Sequence, residues 1–262
     1  MEYDGLRLHY VHYGEGQDAV VFIHGWAGDS SFWRFQIPAF KKGRSLIVLD
    51  LPGHGQSDKP PIVYTQDLFA GAVNAVVVNA GIKSVVLVGH SMGMTVARQF
   101  IRKYPGKAKA LVNVDGALYR MPKDQLKLRA WMKEKAAFAD RFRGPDYQAF
   151  AGPFIDSLFV EQTPAQVRKE IKSVMLGTPQ HVVVSALEAL GDPMLWQEGA
   201  VRLPTLAIYA KTSDLSQDTR PYLGRLFPNL EYRQWEGCGH FLFMERPERF
   251  NKALLAFLAE HG

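Results

Sequence analysis

Ser91 lies between two glycines in the segment 89–93, Gly-His-Ser-Met-Gly, and this arrangement can carry nucleophilic chemistry. An apolar run at 85–88 precedes the segment, and helical periodicity begins near Met92. A serine at a sharp turn from a strand into a helix presents its hydroxyl above the sheet, near the positive end of the helix dipole. Glycines two residues before and after it allow backbone approaches that a side chain would block. The pattern therefore predicts a nucleophile at Ser91.

A histidine that could activate this serine follows the last predicted strand, in the segment 237–241, Gly-Cys-Gly-His-Phe. A serine hydroxyl is a poor nucleophile at neutral pH and needs an adjacent base. His240 would take the Ser91 proton during attack and return it to the leaving group. The competing interpretation is a structural loop histidine, since the chain contains eight histidines.

Short apolar runs alternate with helical periodicity along most of the chain, and these elements must position the two residues. Strands are predicted at 6–13, 19–23, 45–51, 84–88, 109–114, 205–210 and 231–235, and helices at 65–80, 92–104, 217–227 and 247–259. Buried strands that alternate with helices indicate a parallel α/β sheet covered on both faces. Residues 117–198 contain helix signals and many aromatic residues but no convincing buried strand, which predicts a helical insert.

At these motifs the chain resembles the α/β-hydrolase superfamily, and the resemblance covers nearly its whole length. His24-Gly25-Trp26 looks like the oxyanion loop of that family, and the segment 50–57, Asp-Leu-Pro-Gly-His-Gly-Gln-Ser, looks like its conserved turn. The segments 89–93 and 237–241 resemble its nucleophile turn and its histidine loop. The resemblance implies a mostly parallel, eight-stranded-type sheet flanked by helices, with a helical cap after the sixth strand. We expect a core of residues 1–117 and 199–262 and a cap of residues 118–198.

The resemblance also implies the remaining members of a catalytic site. The family order of nucleophile, acid and histidine is matched by Ser91, Asp214 and His240. The backbone N–H groups of Trp26 and Met92 would form the oxyanion hole. His24, His54 and His90 belong to these motifs and are expected to brace loops, and Asp50 is expected to satisfy backbone donors.

The assignment of Asp214 as the acid of the catalytic site has open alternatives. The family often has a glycine directly after the seventh strand and the acid three residues later, but here Lys211 replaces that glycine before Asp214. Asp115 follows the strand at 109–114, a position from which some family members take their acid. A serine–histidine dyad without a charged partner is the third possibility.

Composition and motifs exclude several other classes. One cysteine, Cys238, excludes an internal disulfide and a cysteine-rich zinc cluster, and a net charge of +5 is too weak for a dedicated nucleic-acid binder. No dinucleotide-binding, phosphate-loop or zinc-protease motif occurs, so we expect catalysis without a cofactor or metal. No apolar run approaches 18 residues and the start has no signal-peptide pattern, so we expect a cytoplasmic protein that does not span a membrane.

The sequence therefore predicts a serine hydrolase that acts on small to medium, apolar carboxylic esters or lactones, with amides disfavoured. Ser91 in place of aspartate at the nucleophile turn argues against the haloalkane dehalogenases and epoxide hydrolases of the family. Two alternatives stay open. One is a lyase of the same fold, similar to hydroxynitrile lyases, which charged cap residues in the pocket would favour. The other is a ligand receptor or scaffold on this fold. The oligomeric state is not determined by the sequence.

Overall fold

Buried apolar strands form the middle of the main sheet. The computed structural model describes residues 1–117, 120–212 and 218–262. Its strands are β1 (Glu2–Tyr3), β2 (Leu6–Arg7), β3 (Tyr10–Tyr13), β4 (Asp18–Ile23), β5 (Ser45–Leu49), β6 (Ser84–His90), β7 (Ala108–Val114), β8 (Thr205–Ala210) and β9 (Leu230–Trp235).

The main sheet has the strand order β3-β5-β4-β6-β7-β8-β9. Only the pairing of β3 with β5 is antiparallel, and the other five pairings are parallel. Every residue of β5 and β8 is buried, as expected for parallel strands covered on both faces. The predicted mostly parallel α/β sheet is confirmed.

The N-terminal residues differ from the prediction of one strand at 6–13. β1 and β2 pair with each other through a turn at Asp4 and Gly5, which both have positive φ angles (51° and 72°). This tight turn is typical of a two-residue hairpin. Because β2 is paired within the hairpin, only β3 joins the main sheet. The described residues therefore place seven strands in that sheet, where the resemblance implied eight.

Helices connect the strands. They are α1 (Ile37–Phe40), α2 (Gln66–Asn79), α3 (Met92–Lys103), α4 (Gln125–Asp140), α5 (Tyr147–Asp156), α6 (Ala165–Gly177), α7 (Gln180–Leu190), α8 (Thr219–Leu226), α9 (Leu242–Glu245) and α10 (Pro247–His261), with 3₁₀ turns at Ser30–Trp33 and Pro193–Trp196. The four helices predicted outside the insert, α2, α3, α8 and α10, are confirmed to within a few residues.

The segment 120–198, which we call the cap, lies between β7 and β8 and contains α4 to α7 but no strand. It packs on the loop that follows β4. The Trp26 indole N–H donates to the Val183 carbonyl over 3.0 Å, and the Thr178 hydroxyl donates to the Ala27 carbonyl over 2.9 Å. Trp26 also packs edge-on against Phe142 and Phe154 of the cap. The cap thus covers the carboxyl end of the sheet.

The register of the central strands brings the candidate residues to one edge. In this register His90, at the end of β6, is opposite Val114, at the end of β7. The next residues along the two chains, Ser91 and Asp115, therefore leave the sheet side by side. The carboxyl ends of parallel strands are where open α/β sheets bind ligands.

Candidate active site

Ser91 occupies a strained turn between β6 and α3. Its φ and ψ angles are 51° and −119°, a combination that costs a non-glycine residue about 1–3 kcal/mol. Backbone hydrogen bonds hold the turn: the Ser91 N–H donates to the Val114 carbonyl, and the Ser91 carbonyl accepts from Met94 and Ala117. A strained, well-anchored serine at this position fits the nucleophile turn expected from the sequence.

Two glycines allow the loop after β4 to lie against this turn. A Cβ atom at Gly93 would lie 2.3 Å from the Ile23 carbonyl oxygen, which is too close for any side chain. A Cβ atom at Gly25 would lie 3.0 Å from the Ser91 Cβ. The segment that begins with His24 is therefore in contact with the candidate nucleophile.

His240 is oriented by Asp115. Its Nδ1 lies 2.6 Å from Asp115 Oδ2, and the other carboxylate oxygen accepts the Ala210 N–H over 2.9 Å. A carboxylate only accepts hydrogen bonds, so Nδ1 carries the proton and Nε2 of a neutral His240 is free to act as a base. Both side chains are largely buried.

The contact between His240 and Asp115 bears on which carboxylate is the acid of the candidate site. Asp214, which the resemblance favoured, lies outside the described residues. Asp115, the alternative at the end of β7, is the carboxylate that the structure brings to His240. The signals for it in the sequence were the Val-Asp-Gly strand end at 114–116 and the replacement of the expected glycine by Lys211.

No hydrogen bond joins Ser91 and His240, although the residue before Ser91 contacts His240. Within the described ranges, neither Ser91 Oγ nor His240 Nε2 has a hydrogen-bond partner. The His90 ring, one residue before Ser91, lies 4.6 Å from the His240 ring, and its Nε2–H donates to the His240 carbonyl over 2.9 Å. Hydrogen bonds between a nucleophile and its base are often long before substrate binds.

The two expected oxyanion donors are buried and unused. Across the part of the chain that the structure describes, neither the Trp26 nor the Met92 backbone N–H donates a hydrogen bond, although both residues are buried. Buried N–H groups without a partner are rare, except at the start of a helix. Met92 begins α3, whereas Trp26 lies in a loop. The arrangement leaves donors free for a negatively charged oxygen.

Glu245 and Arg246 hold the loop that carries His240, and sequence reasoning missed both. Glu245 Oε2 accepts the Gly239 N–H over 2.8 Å, and the Arg246 guanidinium donates to the Gly237 carbonyl over 2.7 Å. Burial raises the pKa of Glu245, although the Gly239 N–H opposes this shift. The apolar segment 241–244 before Glu245 is the only sequence signal for a buried carboxyl here.

His24 and Asp50 brace loops, as predicted. His24 Nδ1–H donates to the Gly25 carbonyl, and its Nε2 accepts the Leu51 N–H. Asp50 accepts the N–H groups of Ser30 and Gln56. Burial opposes ionisation of Asp50, but these donors and the nearby His24 outweigh it and hold the pKa of Asp50 below its usual value.

His54 and His90 are buried as neutral rings. Burial, with a contribution from His24, lowers the pKa of His54 to about 3. Burial, with a contribution from His240, holds the pKa of His90 well below its usual value. His54 donates to the Pro52 carbonyl and His90 to the His240 carbonyl, so both act as structural donors, as expected.

A cavity of about 550 Å³ lies between Ser91 and the cap. This volume is typical of small-molecule sites. Its walls are mostly apolar, with three charged cap residues among them. The lining consists of Trp26, Ser91, Ala117, Glu134, Lys135, Ala137, Phe138, Arg141, Phe154, Leu187 and Leu190.

The described residues contain neither a metal-ligand cluster nor a membrane-spanning helix. No cluster of three or more histidine, cysteine, aspartate or glutamate side chains in the described ranges has the geometry to hold a metal ion. In the same ranges, no helix combines the length and apolar character needed to cross a bilayer.

Residues 18–247 match the sequence model of the alpha/beta hydrolase fold family. The chain is 32% identical to epoxide hydrolase 3 of Mus musculus, over 98% of this chain and 75% of that protein. It also matches the dihydrolipoyllysine-residue acetyltransferase component of the acetoin cleaving system of Cupriavidus necator. That match is 37% identical over 111 residues, which are 42% of this chain and 30% of that protein.

Two solved structures share the fold at 25% identity. A thermophilic esterase from Thermogutta terrifontis superposes with a TM-score of 0.81 over 98% of this chain and 95% of that one. Est816, described as an N-acyl homoserine lactone degrading enzyme, gives a TM-score of 0.81 over 98% of each chain. The architecture predicted from the sequence is thus found in known hydrolases.

The buried His54 generates a prediction about stability and pH. As pH falls through about 6.5, His54 of the unfolded chain takes up a proton, while the folded protein keeps it neutral down to about pH 3. The stability that the neutral, buried His54 contributes is therefore lost as pH falls from about 6.5 toward 3. Between pH 8 and pH 5, the wild-type protein should lose about 2 kcal/mol more of its unfolding free energy than His54→Asn.

Urea unfolding at both pH values measures this difference, and comparison within each variant removes the direct cost of the substitution. The same change at the exposed His181 is the control. Equal losses in the wild-type protein and His54→Asn would show that His54 is not the source.

Proposed function

Because the chain belongs to the alpha/beta hydrolase fold family, we propose that it is a serine hydrolase that forms an acyl-enzyme on Ser91. His240 is the base, and Asp115 is the acid that orients it. The observation that carries the proposal is the 2.6 Å contact between His240 Nδ1 and Asp115, which leaves His240 Nε2 free to act as a base.

The first half of the reaction is attack by Ser91 Oγ on the ester carbonyl carbon. As the new C–O bond forms, the hydroxyl proton moves to His240 Nε2, and Asp115 stabilises the resulting imidazolium. The carbonyl oxygen becomes negatively charged and accepts the N–H groups of Trp26 and Met92. One such donor typically lowers the barrier by about 3–4 kcal/mol.

The second half releases the products. The bond to the alcohol oxygen breaks, the alcohol takes the proton from His240, and the acyl group stays on Ser91. Water then attacks the acyl-enzyme, with His240 again as the base, and the acid leaves. In a lactone the alcohol remains part of the same molecule.

The substrate class follows from the cavity. Apolar walls and a volume of about 550 Å³ suit a small to medium carboxylic ester or lactone. The names of the two superposed structures, an esterase and a lactone-degrading enzyme, support this choice. An amide is a poorer candidate because its amine leaving group must be protonated.

The mouse relative is named an epoxide hydrolase, but the residue at the turn argues against that reaction here. Epoxide hydrolases of this family use a carboxylate nucleophile, whereas this chain has Ser91. The proposal therefore follows the chemistry of the residue at the turn.

A lyase similar to hydroxynitrile lyases is the second candidate, because charged cap residues reach the cavity. Glu134, Lys135 and Arg141 all line it. In such an enzyme Ser91 and His240 would move a proton without forming an acyl-enzyme.

Turnover of p-nitrophenyl butyrate separates the hydrolase from the lyase. A hydrolase releases nitrophenol, with a burst if deacylation is slow, and a lyase shows little release. Activity no higher than that of Ser91→Ala would reject the ester hydrolase.

Ser91→Ala and His240→Ala should each abolish most of kcat for p-nitrophenyl butyrate, by up to about a million-fold. Ser91→Ala removes the nucleophile, and His240→Ala removes its base. A fluorophosphonate label should attach to Ser91 in the wild-type protein, as mapped by mass spectrometry. His181→Ala, at an exposed histidine of the cap, is the control. Wild-type turnover in either site variant would refute the mechanism.

Asp115→Asn should lower kcat by about 10⁴-fold, because an amide can stabilise neither the required tautomer nor the imidazolium. Asp214→Asn should change kcat only a few-fold. Steady-state kinetics on the same ester give the ranking. The opposite ranking would assign the acid to Asp214, and small effects of both would favour a dyad.

A further inference from the structure

One cation in the cavity has no acidic partner. Lys135 Nζ lies 3.1 Å from Glu134 Oε1, so these two charged cavity residues balance each other. No carboxylate of the described residues lies within 4 Å of the Arg141 guanidinium. The neighbouring Arg143, in contrast, forms ion pairs with Asp140 and Glu188. Among the described residues that line the cavity, Arg141 is therefore a positive charge without an acidic partner.

Arg141 is held in place by an aromatic wall. Its guanidinium carbon lies 3.7 Å from the centre of the Phe150 ring, a close cation–π contact. Phe150 stacks with Phe154, which lines the cavity and packs on Trp26 of the oxyanion loop. A guanidinium that stacks on a ring keeps its N–H edge free and loses less freedom on binding.

We propose that Arg141 selects esters or lactones whose acyl group ends in a carboxylate. This inference rests on the proposed function, because it uses the acyl-enzyme on Ser91. The acyl group is the part of the substrate that stays in the cavity after the alcohol leaves. An apolar chain along the aromatic wall, with a carboxylate at Arg141, matches both the walls and the charge. Arginine also binds carboxylates through two parallel hydrogen bonds. The sequence predicted apolar esters or lactones, so a carboxylate at the end of the acyl group changes this expectation.

Two esters with acyl groups of equal length test the proposal: mono-p-nitrophenyl adipate and p-nitrophenyl hexanoate. The measured quantity is the ratio of kcat/KM for the adipate monoester to that for the hexanoate. In Arg141→Gln this ratio should fall about tenfold, as expected for the loss of one charge-assisted interaction. Arg141→Lys should keep part of the ratio because it keeps the charge.

Arg143→Gln is the matched control, since Arg143 lies two residues away and is not part of the cavity lining. Its ratio should equal that of the wild-type protein. Higher salt should lower the wild-type ratio and leave that of Arg141→Gln nearly constant, because salt screens an exposed charge pair.

The outcomes separate the two proposals. Turnover of neither ester above Ser91→Ala would refute the serine hydrolase itself. Turnover of both esters with the same ratio in the wild-type protein and Arg141→Gln would leave the hydrolase standing and overturn the role of Arg141.

Discussion

The hydrogen bond between His240 and Asp115 is the interaction on which the site depends. It joins the loop after the last strand to the end of β7, across 125 positions of sequence. The Ala210 N–H fixes the second carboxylate oxygen from the end of β8. The imidazole is therefore oriented by two adjacent strands of one rigid sheet. A small slip between these strands would turn the ring away from Ser91.

Two buried polar side chains lie near this bond. His90 and Glu245 are buried because they hold the backbone of the histidine loop. The strained φ angle of Ser91 and the unused N–H groups of Trp26 and Met92 are costs that substrate binding can repay. Fully buried strands such as β5 and β8 supply the stability that tolerates these costs. The costs at Ser91, Trp26 and Met92 lie together at the candidate site.

Trp26 links the chemistry to the cap. Its backbone N–H is a proposed oxyanion donor, while its indole N–H donates to the Val183 carbonyl and its rings pack on Phe142 and Phe154. One residue therefore joins the cap to the proposed oxyanion donor. The cap also supplies the charged groups that line the cavity, which is why the proposed selectivity for substrate rests on cap residues.

The sequence by itself determined the α/β architecture, the helical cap and the candidate nucleophile and base. These depend on local signals: apolar runs, helical periodicity, and glycines around Ser91 and His240. It also singled out Asp115 as one of two acids, but could not choose, because strand order and register decide which carboxylate meets the histidine. Only the tertiary structure placed Asp115 there, showed Glu245 beneath the histidine loop and placed Arg141 in the cavity with no acidic partner among the described residues. Each of these depends on residues distant in sequence, and no local pattern encodes their distance.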